Sequence, residues 1–230
     1  MTSRLTAVAF EAHDPARVGA FWAEMLGRSA VDDGRGVLVA GTATQVGLRF
    51  VPNRTPKVDQ NPLHLHLAST SAADQRAVVE RALRLGASHL DVGQRPEEGH
   101  VVLADPEGNE LCVIEPGTSF LAGTGFLGEV TCEGSCAVGL FWARALGWPL
   151  VWDQDQETAV QSPAGGTKVS WGGEPPAARH PGGRQRFELE VSDGGLADEA
   201  ARLVGLGATR VTSDDLVELA DPDGNRFTVR

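Results

Sequence analysis

The stretch "PLHLHLAST", residues 62 to 70, sets His64 and His66 two apart in an apolar run. A β-strand repeats its side-chain direction every second residue, so both imidazoles point to one face, with Cα atoms about 6.6 Å apart. That spacing suits shared chemistry: two metal ligands, a general acid/base with an orienting neighbour, or an imidazole pair lining a pocket. Cys112 lies in "ELCVIE", alternating with Leu111 and Val113 beside Glu110, and reads first as a small buried residue. Cys136 follows Ser135 at a predicted helix start, where backbone N–H groups favour a thiolate. A silent thiol is the simpler reading there. With Cys132 these are the only cysteines, too few and too unevenly placed for a disulfide framework.

Aromatic residues concentrate in the second half of the chain. Trp148 and Trp152 lie in "GWPLVWDQ" and Trp171 in "KVSWGG". Such rings suit the wall of a site for a flat ligand, with Arg186 or Glu188 setting its orientation; ordinary core packing is the competing reading. Trp22 and Trp142 fall on buried helical stripes and are expected in the core.

The elements that position these groups are written twice. "VGAFWAEMLGR" from Val18 recurs as "VGLFWARALGW" from Val138, "LRLGAS" as "VGLGAT", and "LADPEGNEL" as "LADPDGNRF", in the same order and at nearly constant spacing. "PGTSFLAGTG", residues 116 to 125, reads as the linker between the copies. Within the first copy, Asp14 and Pro15 open a helix that buries Val18, Phe21, Trp22, Met25 and Leu26 and stops at Gly27. A second helix is predicted after Ser71, with Val79, Ala82 and Leu83 inward. The second copy repeats the plan, with Ser135 or Gly134 capping one helix and Asp193 the other. Each helix follows one short strand and precedes about three more, so the chain resolves into four βαβββ modules. The Asp-Pro-acid-Gly-Asn turns read as hairpin punctuation.

Paired βαβββ modules carrying "DPARVGAFWAEMLG" and "LADPEGNELCVIE" resemble the vicinal oxygen chelate (VOC) superfamily, the glyoxalase, bleomycin-resistance and ring-cleaving dioxygenase group, in its glyoxalase-like branch. The resemblance covers essentially both halves and implies an α+β fold of two tandem VOC domains. Each domain is then a pair of modules curved into a half-open barrel, residues 1–115 forming one cup and 126–230 the other. Catalytic members hold a divalent metal with two histidines and a glutamate. Carried over by position, those sites fall on Ala7, His64 and Cys112 in the first half, and on Leu127 or its same-face neighbour Glu129, Arg186 and Thr228 in the second. Only His64 matches. A variant site built on His64 and Cys112 would need His66, Glu110 or Glu11 to complete its shell, and Glu11 lies about 13 Å along the strand from Ala7.

The resemblance with its missing ligands leads to an expectation of small-molecule binding without a metal or other cofactor, as in sequestering relatives. Ligand contacts are expected among His64, His66, Glu110, Cys112, Glu11, Trp152, Trp171, Arg186, Glu188 and Thr228. The alternative is a lyase, isomerase or oxygenase with zinc, iron, nickel or manganese at His64, Cys112 and Glu110, or with His64 as a metal-free acid/base. A third reading is an interaction module with filled cups. The formal charge of −11 and scattered basic residues argue against nucleic acid as a partner. No apolar run approaches bilayer length and no signal peptide is evident, so a cytoplasmic monomer or homodimer without a membrane partner is expected. The Gly- and Pro-rich stretches 52–62 and 162–185 lack phosphate-loop spacing and read as loops at the cup rims.

Overall fold

The computed structural model describes residues 3–95, 97–173, 183–192, 195–211 and 217–230. Four βαβββ modules follow one another as expected. The first runs β1 (Ser3–Ala12), α1 (Pro15–Leu26), β2 (Ala30–Asp32), β3 (Val37–Val39) and β4 (Gly47–Pro52). The second runs β5 (Leu63–Ala68), α2 (Ala72–Arg84), β6 (Ser88–His89), β7 (Val101–Ala104) and β8 (Glu110–Ile114). After a 3₁₀ turn at Ser119–Leu121, the third runs β9 (Leu127–Glu133), α3 (Cys136–Leu146), β10 (Leu150–Gln154), β11 (Glu157–Gln161) and β12 (Lys168–Gly172). The fourth runs β13 (Gln185–Val191), α4 (Leu196–Gly205), β14 (Thr209–Arg210), β15 (Val217–Ala220) and β16 (Arg226–Val229).

These modules form two eight-stranded sheets, and each sheet draws on both halves of the chain. One has the order β14-β15-β16-β13-β1-β4-β3-β2, the other β10-β11-β12-β9-β5-β8-β7-β6. We call them the outer sheet (first and fourth modules) and the inner sheet (second and third). The expected cups, residues 1–115 and 126–230, are therefore corrected. The sequence repeats stand, but the first module shares its sheet with the fourth and the second with the third. A short linker keeps consecutive units adjacent, so β9 pairs antiparallel with β5, Leu65 opposite Val130. The remaining partners, β1 and β13, then pair with each other, Val8 opposite Phe187. Neither sheet closes into a barrel; its first and last strands remain edges.

The helices follow their sequence signals closely. Asp14 caps α1 by accepting from Arg17 N at 3.0 Å, and Gly27 ends it with φ of 64°. Ser71 caps α2 from Asp74 N at 3.1 Å. Helix α2 is rotated slightly from expectation: Val78 and Ala82 are buried, while Val79 and Leu83 pack partly against the core. Ser135 precedes α3 without a side-chain cap, because its hydroxyl goes to Asp223 Oδ1 at 2.8 Å. Gly195 precedes α4; Asp193 lies outside the described residues. No helix among the described residues is long and apolar enough to cross a membrane.

The repeated motifs have one shared job. Asp105 ties its turn by accepting from Asn109 N, and also accepts from Trp22 Nε1 at 2.9 Å. Asp221 does the same for Asn225 N and for Trp142 Nε1 at 3.2 Å. The acid two residues on holds the helix start of the preceding module: Glu107 accepts from His13 N and Asp14 N, and Asp223 from Ser135 N. Each turn thus fastens the two modules of one repeat, although those modules sit in different sheets. Burial pushes both Asp105 and Asp221 carboxyls upward from their ordinary pKa, against the hydrogen bonds that lower it.

Candidate functional site

On each sheet, alternate residues face the helices and form the core, and the intervening ones face away from it. On the inner sheet this open face carries His64 and His66 from β5, Glu110 and Cys112 from β8, Glu129, Thr131 and Glu133 from β9, and Ser170 from β12. Register brings three of them together: His66 is opposite Cys112 on one side and Glu129 on the other. His66 Nδ1 donates to Glu129 Oε2 at 2.7 Å, Ser170 donates to the other Glu129 oxygen, and Cys112 stands beside the same imidazole on the neighbouring strand. Burial alone would lower the His66 pKa, but Cys112 and Glu129 raise it to about 10. His66 is therefore an imidazolium at neutral pH.

His64 lies in a different environment. Its Nε2–H donates to the Asn61 carbonyl at 2.7 Å, and burial pulls its pKa below the ordinary value, against the upward pull of Glu110, the Asn61 bond and Glu133. Glu110 is itself occupied, by Lys57 Nζ at 2.6 Å and by Asn61 N at 3.3 Å. The segment expected as a rim loop, 52–62, thus folds over one end of the site through Lys57 and Asn61. In the other expected loop, 162–185, residues 174–182 lie outside the described residues.

A cavity of about 430 Å³ opens beside this cluster, lined in part by His64, Glu129, Thr131, Phe120, Trp152 and Trp171. Trp152 is 36% exposed and meets Phe120 edge-on, ring centroids 5.8 Å apart. Phe120 comes from the linker and is held by Lys168, whose ammonium lies 4.4 Å above its ring. Trp171 touches the cavity but belongs mainly to the core: it is 2% exposed and stacks on Trp142 at 6.3 Å. Trp148 packs against the core.

The other expected ligand contacts are on the outer sheet and cannot join this site. Ala7 faces Glu188 across β1 and β13, and Glu188 faces Thr228 across β13 and β16. Glu188, 3% exposed, accepts from Arg49 Nε at 2.9 Å and from Arg230 Nη2 at 2.8 Å. Arg49 also reaches Asp33 at 2.7 Å and holds that carboxyl far below the usual range. Arg186 pairs with Glu11 at 3.6 Å, and Asn53 bonds Glu11 as well. Arg186 and Glu188 therefore do not orient a ligand against Trp152, and Glu11 does not approach His64. The physical reason is the exchange of modules between sheets, which places β1 and β13 together, away from β5 and β8.

With the geometry in place, comparison with known proteins gives the class. The glyoxalase-like domain family model matches residues 7–114 and again 129–230, so the chain belongs to the glyoxalase-like domain family. Among solved structures, glyoxalase I from Zea mays is 15% identical, with 99% of this chain and 92% of that chain covered and a TM-score of 0.70. A putative dioxygenase from Bacillus subtilis is also 15% identical, with 99% and 84% covered and a TM-score of 0.62. At such identities the likeness is one of fold, that of VOC proteins with two domains. No curated protein matches the chain in sequence.

The metal that the resemblance implies does not fit the residues present. A ligating imidazole needs a free nitrogen lone pair, yet His66 Nδ1 is committed to Glu129, and Glu129 and Cys112 push its pKa upward. Glu129 is held by His66 and Ser170, and Glu110 by Lys57 and Asn61 N. The proposed pair His64 and Cys112 is not set opposite; the register places Cys112 beside His66 instead. Among the described residues no group of three His, Cys, Asp or Glu side chains is arranged to hold a metal ion.

Sequence reasoning did not single out Ser170, Asn61, Lys57 or Phe120. Strand alternation in "GEVTCE" does place Glu129, Thr131 and Glu133 on one face, and that signal was available. Phe120 had no such signal, because its position follows from the path of the linker.

Proposed function

We propose that the chain binds a small, flat organic molecule on the open face of the inner sheet, without a metal ion. The observation that carries this reading is the contrast between the open faces: the inner sheet keeps a cavity of about 430 Å³ walled by Trp152 and Phe120, while an arginine–carboxylate network fills the middle of the outer one. The cavity is within the range of small-molecule sites, and such sites combine aromatic walls with a few polar groups. Here His64, Thr131 and Glu129 supply those groups. Family membership supports a small-molecule role, and sequestration of a natural product or xenobiotic, as in bleomycin-resistance relatives, is the form of it that needs no metal.

The test is titration of the protein with a panel of flat aromatic compounds, reading tryptophan fluorescence. Of the two tryptophans at the cavity, Trp152 is the exposed one, so saturable quenching is expected to disappear in Trp152→Phe and to persist in Trp171→Phe. Quenching that survives Trp152→Phe unchanged would move the ligand elsewhere.

A further inference from the structure

Gly172 of β12 lies on the cavity wall and leaves it without a side chain at that point. It stands opposite Glu133 of β9, and the pairing of Thr158 with Trp171 sets the preceding residue, Glu157 of β11, on its other side. Both glutamates also line the cavity. Glu157 leans across the glycine: a Cβ added at Gly172 would fall 2.9 Å from its Cγ and 3.4 Å from its Oε1. The glutamate Cα atoms are two strand spacings apart, about 9.5 Å, and the lean brings the Glu157 carboxylate in between them. The described lining carries three carboxylates, Glu129, Glu133 and Glu157, and no lysine or arginine. Glu129 is matched by His66 at 2.7 Å, whereas Glu133 acts on the cavity itself, pulling the His64 pKa upward. Lys168 commits its ammonium to Phe120, bonding the carbonyl and lying 4.4 Å from the ring centroid.

We propose that the cavity selects flat aromatic cations of the amidine or guanidine class, the charged group seated over Gly172 between Glu157 and Glu133 and the ring against Trp152. A planar, delocalised cation offers N–H donors to two carboxylates at once, and a glycine floor lets it approach the backbone. Exposed Trp152 adds the attraction of a ring face for positive charge. The cavity with its aromatic wall is the site; the carboxylates set the sign of what it takes. This choice of ligand class rests on the binding reading above.

The test is calorimetric titration of the full chain with 2-naphthamidine, 2-naphthamide and 2-naphthoate, which share one flat ring system and are a cation, a neutral molecule and an anion near pH 7. The amidine should bind about 10-fold or more tighter than the amide. The naphthoate should bind most weakly, and added salt should narrow the differences. Glu157→Gln and Gly172→Ala should each bring the amidine toward the amide, the first by removing charge and the second by filling the seat, with amide binding retained. Equal affinities for amidine and amide, both lowered in Trp152→Ala, would overturn the charge selection and leave the binding reading standing. An amidine preference unchanged in both variants would overturn the seat over Gly172. Binding of none of the three would overturn the binding reading as well.

Discussion

The outer and inner sheets are built from equivalent modules and paired in the same way, yet their open faces are opposites. At the middle of the outer sheet Ala7, Glu188 and Thr228 stand in register, and the space beside them is taken by Arg49 and Arg230. At the matching place on the inner sheet stand His66, Cys112, Glu129 and Ser170, with His66 and Ser170 bonded to Glu129 and a cavity alongside. The difference lies in what reaches over the sheet: two guanidinium groups bind the carboxylate at the middle of one face, while Trp152 and Phe120 wall a cavity beside the other. One sheet serves as a brace and the other remains open to a ligand.

The contrast is most strongly tested by removing the brace. Glu188→Ala leaves Arg49 and Arg230 facing each other in a buried place, and breaking a buried ion pair costs about 3–5 kcal/mol. Denaturant unfolding should register that loss, while ligand quenching at Trp152 stays the same in the folded protein. Equal losses of stability and binding would show that the two faces are not independent.

A smaller effect is expected from the links between sheets. Trp22→Phe removes the indole N–H from buried Asp105, whose Oδ2 keeps the Asn109 side-chain amide, so the loss is that of one hydrogen bond, about 0.5–1.5 kcal/mol. The same substitution at Trp142 should act alike through Asp221. A cost at only one of the two would break the equivalence of the repeats.

On the inner sheet, His66 gives a pH signature. Its folded pKa, about 10, lies above the ordinary 6.5, so its stabilisation is complete below pH 6.5 and is lost as pH rises through 10. Unfolding free energy should fall over that window in the wild type and lose the slope in His66→Asn. NMR at pH 7 should also find the two imidazoles in different states, His66 charged and His64 neutral, because burial lowers the latter. Matching titrations of the two rings would erase the distinction between them. The smallest change in stability, within about 0.5 kcal/mol, is expected for Trp152→Phe, as for other exposed substitutions. Its effect should appear in ligand quenching alone.

Most of the fold could be read from the chain because its signals are local. Asp14, Gly27 and the Val18–Phe21–Trp22–Met25 stripe mark a helix wherever it packs, and the repeated motifs reveal four modules. Which modules share a sheet is a long-range choice that depends on the linker path, and no local pattern records it. The candidate site was legible to the same degree. Alternation put His64 and His66 on one face, and the family resemblance drew attention to Cys112. It did not show that His66, rather than His64, stands opposite Cys112, nor that Asn61 captures His64 from a loop without periodic signal. Glu11 was grouped with His64, and Arg186 and Glu188 with Trp152 and Trp171, because each cup was drawn within one half of the chain.

The most direct test of the central claim is a crystal soaked with brominated flat aromatic fragments, with the bromine located by anomalous scattering. The account predicts a peak in the cavity between Trp152, Phe120 and His64, with the Arg49–Glu188–Arg230 network undisturbed. A peak on the open face of the outer sheet, or binding in solution with the inner cavity empty in the crystal, would contradict it.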